Sequence, residues 1–149
     1  MNERTCDLEE RLLDYAARIV RLVEKMPDTR AGNHIANQLL RSGTSPLPNH
    51  GEAEGAESRN DFVHKMGVCH KELRESRRRR RLIQRIPLMS DASALDENIL
   101  ETGELVRIFA ASIRTARSNT CREDSLPNST LSVERSLIPS VHTVSMEST

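Results

Sequence analysis

Residues 7–26 read DLEERLLDYAARIVRLVEKM, and this stretch decides the fold. Leu8, Leu12, Tyr15, Ile19, Leu22 and Met26 recur in alternating steps of four and three. That spacing keeps one apolar stripe on one side of an α-helix, and Leu13, Val20 and Val23 widen it. Asp7 is placed to cap the helix, with Glu10 three residues on in the manner of a capping box. Pro27 ends it, because a residue before proline avoids helical dihedrals. The spacing therefore predicts a helix over 7–26.

The same alternation recurs twice downstream. Phe62, Met66, Cys69, Leu73 and Ser76, continuing through Arg80 to Ile83, predict a long helix over 57–86. Leu95, Ile99, Thr102, Val106, Phe109, Ile113 and Ala116 predict another over 93–117, with Arg114 and Arg117 suited to its C-terminal dipole. A further helix is expected over 29–44, carrying Ile35 and Leu39 on its inner side. After it, Pro46 and Pro48 should interrupt regular structure, with helical character resuming near His50–Gly55. Amphipathic segments of similar length and short connections make an all-α, antiparallel up-down four-helix bundle spanning 7–117. Residues 118–149 hold 12 Ser or Thr and no sustained period, so a disordered C-terminal tail is expected.

Composition narrows the function classes. Of 149 residues 36% are hydrophobic, yet Tyr15, Phe62 and Phe109 are the only aromatic ones. A β-sandwich or barrel and an aromatic stacking platform for single-stranded nucleic acid are both disfavoured. The acidic N-terminus is no signal peptide, and no stretch approaches the roughly 20 apolar residues of a membrane span. Three widely separated cysteines suggest no disulfide framework, so a reduced, cytoplasmic setting without a membrane role is the plain expectation.

One segment carries candidate chemistry. Seven of the twelve residues from Arg74 to Arg85 are arginine. Such density attracts phosphate through counterion release, so RNA or DNA contact by Arg74, Arg77, Arg78, Arg81 and Arg85 is the functional expectation. The whole run surrounds a helix rather than forming one stripe. The bland alternative pairs these arginines with Glu97, Glu101 and Glu104 of the last helix, and a related one sets them against an acidic protein partner. Arg80 falls on the apolar stripe, where a guanidinium must snorkel, find a carboxylate, or lie beyond the core. No cofactor or small-molecule substrate is expected. Asp61 with His64, and Cys69 with His70, fall short of the converging ligands a metal needs, and Asp61 reads better as a surface partner of Lys65. Gly51 and Gly55 lack the lysine of a phosphate loop, and no nucleophile–base grouping is visible, so the chain is expected not to be an enzyme. Leu13, Val20 and Val23, lying beside the main seam of the first helix, point to a homo-oligomer.

Several segments together resemble a known family. They are Gln38–Ser45 (QLLRSGTS), Asn49–Ala53 (NHGEA), Glu57–Met66 (ESRNDFVHKM), Lys71–Arg77 (KELRESR) and Glu104–Ile113 (ELVRIFAASI). Their order and spacing resemble the four-helix-bundle family named after intervening sequences in large-subunit ribosomal RNA genes. The resemblance implies a bundle that assembles as a ring-like pentamer. It also implies kinship with the accessory variability proteins of diversity-generating retroelements, which bind nucleic acid and a reverse transcriptase. It carries over no catalytic residue. The chain departs from the pattern twice: Arg77–Arg81 stands where the family has aromatic and aliphatic residues, and Pro46 and Pro48 enter its alanine-rich second helix.

Overall fold

The structure is a computed structural model that describes residues 3–86, 88–90 and 93–123. Its helices are α1 (Glu3–Val23), α2 (Arg30–Thr44), α3 (Pro46–Glu54), α4 (Arg59–Arg85) and α5 (Ser93–Glu123). α1 begins four residues before Asp7, so Asp7 lies inside the helix and does not cap it. Past Val23 the chain tightens into bonds of i→i−3 type, from Lys25 N–H to Leu22 O and from Met26 N–H to Val23 O, before Pro27. Thr29 then caps α2 by accepting from Gly32 N–H at 3.0 Å, and Ser58 caps α4 by accepting from Asp61 N–H at 3.1 Å.

The helix is interrupted at the prolines as the sequence suggests, α2 ending at Thr44, but it resumes at once with α3 at Pro46 and not near His50. Ser45 keeps right-handed helical dihedrals, φ −58° and ψ −34°. Its N–H reaches Arg41 O at 3.1 Å, and Asn49 N–H reaches Ser45 O at 3.3 Å, so Ser45 closes α2 and opens α3. Pro46 and Pro48 occupy the first turn of α3, where a missing N–H leaves no bond unmade and the ring already holds a helical φ. α2 and α3 thus follow one another as one arm, and the bundle has four arms.

α1 packs against α2, α3 and α5, while α4 packs against the same three helices. α1 and α4 are therefore diagonal, the arrangement of an up-down bundle with sequential neighbours. Between them lie Leu12, Tyr15, Ile19, Leu22, Leu39, Met66, Leu73, Ile83, Leu95, Leu105 and Phe109, all buried. α5 keeps its expected phase at Leu95, Thr102, Phe109 and Ile113, all buried, and departs from it at two positions. Asn98 and Leu105 face inward, and Ile99 and Val106 sit half-buried at the edge. α5 also runs six residues past Arg117, so Ser118–Glu123 are helical rather than part of a tail. The tail expected over 124–149 lies outside the described residues.

Candidate nucleic-acid interface

The seven arginines of the run divide into three groups. Arg80 is fully buried in the centre of the bundle. Its Nη1 donates to Asn98 O at 2.7 Å, and its Nη2 to Tyr15 Oη at 2.9 Å, to Ser76 Oγ at 3.3 Å and to Thr102 Oγ1. Its Nε donates to Ser76 O at 3.3 Å, and its guanidinium carbon stands 5.3 Å from the Tyr15 ring centroid. None of the three outcomes expected from sequence occurs. The guanidinium neither snorkels nor meets a carboxylate nor leaves the core; it is held by neutral oxygens from α1, α4 and α5. Burial lowers its pKa, with Tyr15 opposing and Arg77 adding to the effect, but a guanidinium stays charged regardless.

Arg79 is half-buried and committed to its own surroundings, with Nη2 3.1 Å from Glu75 one turn away and 3.5 Å from Gln38 of α2.

Arg74, Arg77, Arg78, Arg81 and Arg85 are all exposed. On a helix of 3.6 residues per turn they fall within about 100° of arc. Once Arg79 and Arg80 are assigned to the interior, what remains is one stripe and not a surrounding sleeve. Exposed Lys71 extends it toward the start of α4, giving a row about 21 Å long at 1.5 Å per residue. Among the described residues none of these six cations has a carboxylate within 4.0 Å. Burial, and then the charge of Arg74, hold the nearby His70 below the usual imidazole range.

The acids expected to neutralise the run lie elsewhere. Glu101 and Glu104 each stand 3.0 Å from Arg11 of α1. Glu97 lines a cleft with Arg18 and Arg21 of α1 and with Lys25 just past its end. All three face the other neighbour of α5. Lys65 likewise pairs with Glu52 of α3, at 2.5 Å, instead of Asp61. The five arginines expected from sequence are thus the exposed ones, but their surroundings differ from the expectation. The signal for the stripe is the spacing itself, 74, 77, 78, 81 and 85, which is an i, i+3, i+4, i+7, i+11 face.

Other chemistry finds no focus. Among the described residues no three His, Cys, Asp or Glu side chains converge as metal ligands. Cys69 is buried with its thiol toward Pro46 O at 3.5 Å, and burial pushes its pKa up to about 12, which removes the thiolate a nucleophile requires. No helix among the described residues is long and apolar enough to cross a membrane.

No family profile and no curated protein matches the chain. Among solved structures, a protein of unknown function from the S23 ribosomal protein family of Bacteroides thetaiotaomicron VPI-5482 is similar, with a TM-score of 0.67 and 27% identity. The match covers 74% of this chain and 97% of that one, so the likeness extends over nearly the whole of the second protein.

Proposed function

We propose that the chain is a non-enzymatic, cytoplasmic helical bundle that binds RNA or DNA through phosphate contacts from Arg74, Arg77, Arg78, Arg81 and Arg85. One observation carries this reading: these five side chains share one exposed face, with no ion-pair partner within 4.0 Å among the described residues. Like charges three and four residues apart repel by a few tenths of a kcal/mol per pair, and bound phosphates relieve that repulsion. Arginine also suits phosphate geometrically, since its planar fork donates two parallel bonds. The resemblance to the ribosomal RNA intervening-sequence family, and the likeness to a protein of the S23 ribosomal protein family, support a nucleic-acid setting.

A second reading has its own observation. Leu82, Ile86 and Leu100 are exposed beside the stripe, and an acidic protein with aliphatic side chains would cover them along with the arginines. Replacing Arg77, Arg78 and Arg81 together with Gln tests the first reading. Binding to RNA and DNA should weaken regardless of sequence, and the log–log salt slope should flatten by roughly 0.9 for each phosphate no longer neutralised. Helicity by circular dichroism should hold or rise slightly. A triple variant that binds as tightly as the parent, with the same slope, overturns the assignment.

A further inference from the structure

The stripe on α4 does not stand alone. A Cβ placed on Gly103 of α5 would lie 3.9 Å from the guanidinium carbon of Arg77, so Arg77 passes directly over Gly103. Residues 107 and 114 follow Gly103 at i+4 and i+11, which returns them to the same face of α5. Both are arginine, both are exposed, and among the described residues neither has a carboxylate within 4.0 Å. α5 runs antiparallel to α4, so Arg107 and Arg114 extend away from Arg77 toward the Arg74 and Lys71 end. Glu104, the acid nearest in sequence, is turned to Arg11 on the opposite side. At the far end of the face Asp96 is engaged by Gln84. The basic surface is therefore two helices wide at its Lys71–Arg74 end, and Arg114 continues it beyond.

We infer that this surface takes double-stranded nucleic acid, gripping the backbones of both strands across a groove, with the α4 row on one strand and Arg107 and Arg114 on the other. The inference rests on the phosphate-binding reading and specifies its ligand. Neighbouring helix axes lie about 8–10 Å apart, a separation that matches the roughly 6–12 Å widths of duplex grooves. The flanking helices also prevent α4 from entering a groove, so contact stops at the phosphates and base edges go unread. A single strand gains little here. Tyr15 and Phe109 are buried and Phe62 is half-buried, so no Phe, Tyr or Trp ring is exposed for bases to stack on. A flexible strand must also be ordered to follow one row, whereas a duplex presents a rigid double row at one charge per roughly 1.7 Å.

The test measures salt-dependent binding of the full chain to a labelled duplex of about two helical turns and to the corresponding single strand. Four proteins are compared: the parent, Arg107→Gln/Arg114→Gln, Arg107→Lys/Arg114→Lys, and the Arg77, Arg78 and Arg81 triple Gln variant. The parent should bind duplex more tightly, with no dependence on sequence. The double Gln variant should flatten the duplex slope by about 1.8, two phosphates at roughly 0.9 each, and leave single-strand binding unchanged. The double Lys variant should restore the slope, while the triple variant weakens both ligands. If the parent binds neither nucleic acid, the phosphate reading itself falls. If the parent binds but the double Gln variant leaves the duplex slope intact, or lowers both slopes alike, only the two-strand assignment falls. The double Gln changes are at exposed positions, and circular dichroism of each variant should match the parent, which checks that folding is not what was altered.

Discussion

Arg80 concentrates the chain's least ordinary physical chemistry. A fully buried cation held without a carboxylate forgoes the Coulombic attraction that usually offsets desolvation. What holds it is geometry. The three nitrogens of a fixed fork meet Ser76 O, Asn98 O and three hydroxyls, and Tyr15 adds its ring face. Tyr15 and Ser76 are bonded to each other at 2.7 Å, so the hydroxyls keep partners among themselves if the guanidinium is removed. Replacement with an unbranched apolar residue should therefore be mild, and replacement with a smaller cation severe. Arg80→Met is expected to change stability by less than about 1.5 kcal/mol, or to raise it. Arg80→Lys retains the buried charge but brings only three donors, and should cost about 2–4 kcal/mol. Urea melts of both variants check the order; Lys proving as stable as Met would mean the cage does not select the guanidinium.

At the level of helices, α1 and α2 approach closely at Gly43. A Cβ on Gly43 would approach Ile19 Cγ2 to 2.6 Å, and Ile19 is fully buried with no room to turn aside. Gly43 is thus present for closeness, since it sits in ordinary helical backbone where alanine would otherwise be favoured. Gly43→Ala gains helix propensity of up to about 1 kcal/mol, but the overlap forces the helices apart and should produce net destabilisation of about 1–3 kcal/mol. Gly51→Ala is the control: nothing lies within 4 Å of its Cβ position, so propensity alone acts and stability should rise. Thermal melts of the two variants moving in the same direction would refute the close-packing account. Position within the element matters equally at the joint after Ser45. Proline's missing donor is costly in mid-helix, but at the first turn of α3 it removes a bond that would not have formed.

For the whole molecule, the proposal of self-association rests on α1. Leu13 and Val20 remain 49% and 42% exposed and, seven residues apart, share one face. Val23, the third residue expected there, is instead half-buried and packed against the core. Leu40 of α2 is a further exposed aliphatic, at 37%. Sedimentation at tens of micromolar should report an oligomer, and Leu13→Gln with Val20→Gln should shift it to monomer without loss of helicity. A parent that sediments as monomer would remove the proposal. The duplex-binding face on α4 and α5 involves neither Leu13 nor Val20, so the double Gln change on α1 should leave the intrinsic salt slope of each bundle unaltered.

The amino-acid sequence alone determined four amphipathic arms, because a period of 3.6 is imposed by backbone geometry and needs no partner to be read. It also determined the exposed stripe in principle, since the positions 74, 77, 78, 81 and 85 lie on one face of any helix. It could not determine which arginine goes inside. Arg80 sits on the apolar phase of α4, but its burial depends on oxygens from Tyr15, Asn98 and Thr102, between 18 and 65 positions away. Nor could it determine two inner positions of α5, where Asn98, whose O serves Arg80, and Leu105 lie inward while Ile99 and Val106 are only half-buried. The direction of Glu97, Glu101 and Glu104 was likewise open, as an exposed acid on α5 borders α1 on one side and α4 on the other. Only packing against Arg11 assigned Glu101 and Glu104 to α1, and in doing so it left the exposed arginines of α4, with Arg107 and Arg114 of α5, without an ion pair within 4.0 Å among the described residues. Local periodicity is a property of one segment, whereas burial of charge and the pairing of acids depend on where the other helices lie.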